Sequence, residues 1–164
     1  MYGGSLLLRH ILNMSYTYCN DILKIEYLDL GYMIIGMSGN RYGISDQAKA
    51  TFQEFLDKHE ISMAHHGDCL GADKEFHKIM ELNGILVTIH PPEKSALRAY
   101  CQSAKIMPVL PYLKRNHNII DACEIFVAFP SGKTEVLRSG TWSAIRYARR
   151  IKRSIYLFYP DGTM

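Results

Sequence analysis

Met33-Ile34-Ile35-Gly36-Met37-Ser38-Gly39-Asn40-Arg41-Tyr42-Gly43 is the stretch that decides the fold. The apolar run over residues 33–37 breaks into Ser-Gly-Asn, which reads as a buried strand delivering the chain into a tight loop. Ser45 then stands where a helix needs an N-cap. Ala48, Phe52, Phe55 and Leu56 follow at i, i+4, i+7 and i+8, the spacing of one apolar helical face. Strand, glycine-rich loop and amphipathic helix together make half of a βαβ unit.

The alternation continues outward from there. Residues 61–65 give a second strand, followed by Gly67. Ala72, Phe76, Ile79 and Met80 repeat the helical spacing, and Gly84 has the signature of a helix C-cap. Residues 85–89 form a third strand, closed by Pro91 and Pro92. Residues 91–111 are irregular and hold four of the 6 prolines. A helix pattern runs from Tyr112 to about Ala122, with Ile119 and Ile120 inward. Residues 125–129 give a fourth strand, 141–153 a helix and 155–159 a fifth strand. Strands separated by helices imply an α/β, Rossmann-like three-layer sandwich. Its mainly parallel five-stranded sheet carries helices on both faces. Residues 1–32 are rich in Tyr and Leu and hold no period for long. They read either as an extension upstream of a domain over 33–164, or as an extra element packed on it.

The bulk composition sets bounds on function. A chain of 164 residues has the size of one domain, and folding should bury roughly 70% of its extended-chain surface. Hydrophobic residues at 48% and charged residues at 21% are ordinary for a globular protein. A net charge of +3 suits an anionic small ligand and is too weak, by itself, to argue for nucleic acid. Cys19, Cys69, Cys101 and Cys123 are far apart and form no CxxC pair. A disulfide framework or zinc site is therefore not expected, and a reduced cytoplasmic setting is. No apolar run approaches the roughly 20 residues that cross a bilayer, so no membrane partner is expected. Leu6, Leu7 and Leu8, followed by Arg9 and His10, lack the long apolar region and cleavage site of a signal peptide.

In a parallel sheet of this kind ligands bind beyond the carboxyl ends of the strands, and four loops there carry suggestive residues. After strand one, Ser38, Gly39 and Arg41 combine close backbone approach with hydrogen-bond donors, although the pattern is not GxGxxG. After strand two, Gly67 and Gly71 lead to Asp73 in the first turn of a helix, where free N–H groups favour an anion. A carboxylate there suits a ribose hydroxyl or a base edge better than a phosphate. Lys114 and Arg115 open the helix before strand four, with Asn116 next to them, and basic residues there oppose the helix dipole and so favour an anionic partner. After strand four a loop of about ten residues leads to Ser139, Gly140 and Thr141, a helix start with two hydroxyls and exposed N–H groups. Gly132-Lys133-Thr134 looks like the end of a P-loop, but the upstream glycine is missing. Arg146, Arg149, Arg150, Lys152 and Arg153 read mainly as a solvated outer face. His65 and His66 read as core imidazoles, Cys69 as incidental and Trp142 as a core residue. No metal is expected.

Taken in order, GMSGNR, HGDCLGAD, YLKRNHNIID before EIFVAFP, and RSGTW resemble the SLOG superfamily of Rossmann-like nucleotide-binding domains. That group includes the LOG-type phosphoribohydrolases, the Rossmann domain of DNA-processing protein A and small stand-alone bacterial and phage members. The resemblance covers about residues 33–162 and is closest to the stand-alone members. It implies a nucleotide or nucleotide-derived ligand over these loops and a phosphate-side role for Arg115. LOG-type enzymes carry PGGxGTxxE with a catalytic Glu. Here Ala144 stands in that position and the double glycine is absent. The expected function is binding, as a sensor, carrier or sequestering module without a cofactor. The alternative is an N-glycosidase resembling the phosphoribohydrolases, using Glu135 or Asp73. A weaker alternative is a DNA-associated domain. Relatives' self-association implies a homo-oligomer as an expected partner.

Overall fold

The computed structural model describes residues 33–164, and the two readings of residues 1–32 lie outside them. Among the described residues the elements are β1 (Met33–Gly39), α1 (Asp46–Asp57), β2 (Ile61–His66), α2 (Ala72–Leu82), β3 (Leu86–Ile89), a 3-10 turn (Ser95–Leu97), β4 (Lys105–Ile106), α3 (Tyr112–Asp121), β5 (Ile125–Phe129), α4 (Gly140–Arg150) and β6 (Ser154–Leu157). The strands form one sheet in the order β4-β3-β2-β1-β5-β6, with every neighbouring pair parallel. The order runs outward from β1 in one direction through β2 to β4, and in the other through β5 and β6. Right-handed crossovers then place α1 and α2 on one face and α3 and α4 on the other.

The two cores follow from side-chain alternation. Ile125, Val127 and Phe129 of β5 join Ile35 and Met37 of β1 against Phe52, Phe55, Phe76 and Met80 of α1 and α2. Phe126 and Ala128 face the other way, against Ile120, Trp142, Ile145 and Ala148. All five residues of β5 are buried, as expected of a central strand covered on both faces. Ser45 caps α1 by accepting from the Ala48 N–H at 3.1 Å. Gly84 follows α2 with φ of 68°, a left-handed conformation that needs glycine, while the Ile85 N–H closes onto the Met80 carbonyl at 3.0 Å.

The fold is the predicted Rossmann-like sandwich with one correction: the sheet has six strands, not five. The additional strand, β4, is two residues long and exposed, and it pairs Lys105 and Ile106 with Thr88 and Ile89 at the sheet edge. A two-residue edge strand in a proline-rich segment has no alternation to read. β1 also continues through Ser38 and Gly39, which are strand residues rather than loop residues. No helix among the described residues is long and apolar enough to cross a membrane.

Candidate functional site

The glycines of the carboxyl-edge loops are packing sites as well as turns. A Cβ on Gly71 would lie 2.8 Å from the Arg41 Cα and overlap that residue's carbonyl group. The Ala72 N–H donates to the Asn40 carbonyl at 3.1 Å. The β1–α1 and β2–α2 loops are thereby fastened to each other. A Cβ on Gly67 would overlap the Arg115 guanidinium and come within 2.8 Å of an Asp73 oxygen. A Cβ on Gly140 would lie 2.6 Å from the Tyr112 ring and overlap its hydroxyl. The Arg115 guanidinium in turn lies 4.9 Å from the centre of the Tyr112 ring. Gly67, Arg115, Tyr112 and Gly140 therefore form a continuous line from the end of β2 to the start of α4.

Arg115 is 3% exposed. Its Nη2 donates to the Cys69 thiol at 3.2 Å, and Nη1 lies 3.9 Å from an Asp73 oxygen. Asp73 is buried and accepts from the Cys69 N–H at 3.1 Å. Its carboxylate thus closes its own loop and faces Arg115. Burial pushes its pKa up to about 6, against the pull of Arg115 and of the Cys69 and Gly67 backbone N–H groups. Asn116 lies beside Arg115 and is equally buried. Three donors in these elements have no acceptor among the described residues: Arg115 Nε, Asn116 Nδ2 and Trp142 Nε1. Trp142 otherwise packs in the α3–α4 core.

At the start of α4, Ser139 Oγ accepts from the Trp142 N–H at 3.3 Å, and the Ser139 carbonyl from the Ser143 N–H at 2.9 Å. The first-turn N–H groups of Gly140 and Thr141 have no intrahelical acceptor. Ser38 alternates with Met37, which points into the α1–α2 core, so its hydroxyl lies on the α3–α4 face. Arg41 is exposed and makes no ion pair among the described residues. Glu135 is held elsewhere: Arg146 Nη1 donates to it at 2.7 Å, and Arg146 Nη2 donates to the Leu137 carbonyl at 3.1 Å. Ala144 is 2% exposed in the α3–α4 core, so a carboxylate at that position would lie among apolar side chains.

A second set of buried polar groups sits under the β2–α2 loop. Asp68 is fully buried with φ of 56°. Its carboxylate accepts from Arg98 Nε at 2.5 Å and from the Cys101 N–H at 2.9 Å. The Leu70 and Ala99 N–H groups bond to the Leu97 and Asp68 carbonyls, so the segment around the 3-10 turn is laced onto the loop. Nothing in the local sequence announces this pair, whose partners are 30 residues apart.

His66, His77 and Cys101 offer ligand atoms within 4.8 Å of one another, a spacing that a metal ion could use. The hydrogen bonding argues against it. The Asp68 N–H donates to His66 Nδ1 at 2.9 Å, so the neutral ring carries its proton on Nε2 and directs it at His77 Nδ1, 2.8 Å away. His77 Nε2 then faces Glu81 at 3.3 Å, a distance compatible with an ion pair but poorly aligned as a hydrogen bond. To bind a metal through Nε2, His66 would have to set its proton against the Asp68 N–H. The two rings and the Glu81 carboxylate instead form a chain that orients the loop.

Electrostatically, His65, His66 and His90 add no positive charge at neutral pH. Burial, followed by repulsion from neighbouring cations and imidazoles, lowers His66 well below its ordinary value, and His90 to about 4. Burial and then Lys105 lower His65, whose Nδ1 is 2.9 Å from His90 Nε2. Burial raises Cys69, and pushes Cys101 up to about 12 with help from Asp68, so neither is an activated thiolate.

These shifts predict the acid stability. A histidine depressed by folding binds fewer protons folded than unfolded, so its stabilising effect is lost as pH falls below 6.5. From pH 7 to 4.5, a shift to about 4 costs about 2–3 kcal/mol for His90 alone. Asp73 acts oppositely: its raised pKa makes the folded state bind the extra proton between about 6 and 3.8, which partly offsets the loss. Chemical denaturation should therefore show stability falling from pH 7 to 4.5. It should fall more steeply in Asp73→Asn, and an equal slope in that variant would contradict the assignment.

Comparison of the chain with protein-family models, curated proteins and solved structures found no match.

Proposed function

We propose that the chain binds a nucleotide or nucleotide-derived phosphate ligand at the carboxyl edge of its sheet, as a sensor, carrier or sequestering module. The observation that carries this reading is the buried Arg115. It adjoins the start of α4 through Tyr112, and its own Nε and two further donors in these elements, Asn116 Nδ2 and Trp142 Nε1, lack acceptors among the described residues. Donors without acceptors, a guanidinium and a helix N-terminus all favour a ligand rich in acceptors and negative charge. Asp73 opposes an anion placed directly beside it, so the phosphate belongs on the α4 side of Arg115. The line Gly67–Arg115–Tyr112–Gly140 offers that side.

Binding is preferred to cleavage because the carboxylates offered as catalysts are occupied. Asp73 accepts from its own loop and Glu135 pairs with Arg146. The test is a thermal-shift series with AMP, ADP-ribose, NAD and cyclic nucleotides. At about 100 times Kd a ligand adds about 2.7 kcal/mol, a shift of several degrees for a domain of this size. No shift with any of them at millimolar concentration would remove the proposal. Release of free base from AMP or NAD, lost in Glu135→Gln, would favour the N-glycosidase reading instead.

A further inference from the structure

Between the ends of β1 and β5, where the strand order turns back, a cavity of about 300 Å3 opens on the α1 side of the sheet. Its helical lining comes from α1, whereas α4 packs on the other face of the sheet. Phe129, Phe158, Ile44 and Ala48 contribute apolar walls, and Tyr42 and Ser131 stand at its exposed rim. None of its lining residues carries a charge. Its other side-chain polar groups are already used. The Asn40 amide bonds to the Gly43 and Phe129 carbonyls and to the Tyr42 N–H. Ser45 Oγ donates to the Pro160 carbonyl and accepts from Ala48.

A lining without a charged side chain gives a phosphate no counter-charge. The cavity offers apolar walls, an aromatic ring that is 85% exposed at Tyr42, and the hydroxyl of Ser131. Those features suit a flat, uncharged ring with a polar edge, and the volume is at the low end for small-ligand pockets, about 300–1,000 Å3. The cavity is also tied to the phosphate region by the chain. Pro130 and Ser131 begin the same loop that ends at Ser139, and Gly39 beside them, at the tip of β1, carries no side chain. We infer that this cavity takes the nucleobase of the ligand whose phosphate is held at Arg115 and the start of α4. The inference rests on the phosphate reading above, and it divides recognition along the carboxyl edge: charge at Arg115 and the start of α4, ring at the cavity.

Calorimetric titration of the full chain with AMP, ribose 5-phosphate and adenosine tests it. AMP is expected to bind at least about 10-fold more tightly than ribose 5-phosphate, the worth of one stacked base. Tyr42→Ala and Ser131→Trp should each remove about 10-fold from AMP binding and leave ribose 5-phosphate unchanged. Both positions are exposed, so folding is not at stake. If AMP and ribose 5-phosphate bind the wild type equally, or neither variant affects AMP, the cavity inference falls and the phosphate reading stands. If adenosine binds as tightly as AMP and is weakened by Ser131→Trp, the phosphate reading falls and the cavity stands. If none of the three binds, both fall.

Discussion

Gly71→Ala is expected to lower the thermal midpoint by about 10 °C, the equivalent of about 3 kcal/mol in a domain of this size. Two costs add. Gly71 has φ of 87° and ψ of −128°, a conformation that an L side chain rarely adopts. The new Cβ would also run into the backbone of Arg41, which has little room to yield. The Asn40 side chain bonds to Gly43, Phe129 and the Tyr42 N–H, so the whole β1–α1 loop would have to move. Gly132 is the control: nothing lies within 4 Å of a Cβ added there, and Gly132→Ala should stay within about 0.5 kcal/mol of wild type. Equal midpoints for the two variants would contradict the loop packing.

Arg115→Ala is expected to weaken phosphate-ligand binding by about 100-fold and to cost about 3 kcal/mol of stability. Truncation removes the cation facing Asp73, and a carboxylate buried without its partner is the costly arrangement. It also removes the donor to Cys69 and the contact with the Tyr112 ring. Arg115→Lys separates the two effects. It keeps the charge near Asp73 but loses the planar fork, so it should recover stability better than it recovers binding. A fully stable Arg115→Ala protein would contradict the burial of the pair. Undiminished binding in Arg115→Ala would contradict its place in the site.

Much of the fold is legible because the local rules agree with one another. The Ser45 cap, the apolar spacing of α1 and the left-handed Gly84 are each dictated by a few neighbouring residues. β5 is legible because burial on both faces leaves a continuous apolar run. β4 is not, because its membership depends on pairing with β3 rather than on any pattern of its own. In the site, glycines and helix starts are legible for the same local reason. The destinations of charged side chains are not. Asp73 turns inward to Cys69 and Arg115, Glu135 turns to Arg146, and Asp68 meets Arg98 from a segment that reads only as irregular. Such pairings are settled by which loops the sheet brings together. The neutral cavity between β1 and β5 is of the same kind, since Ile44, Phe129 and Phe158 meet only through the topology.

The central claim is that Arg115 and the start of α4 hold the phosphate of a nucleotide-derived ligand. A titration with AMP followed by nuclear magnetic resonance reads it at the atoms concerned: the Nε–H of Arg115 and the backbone N–H groups of Gly140 and Thr141. The account predicts that these three signals shift together and saturate at one affinity. Saturating shifts that leave all three in place, or no shift anywhere at millimolar AMP, would contradict it.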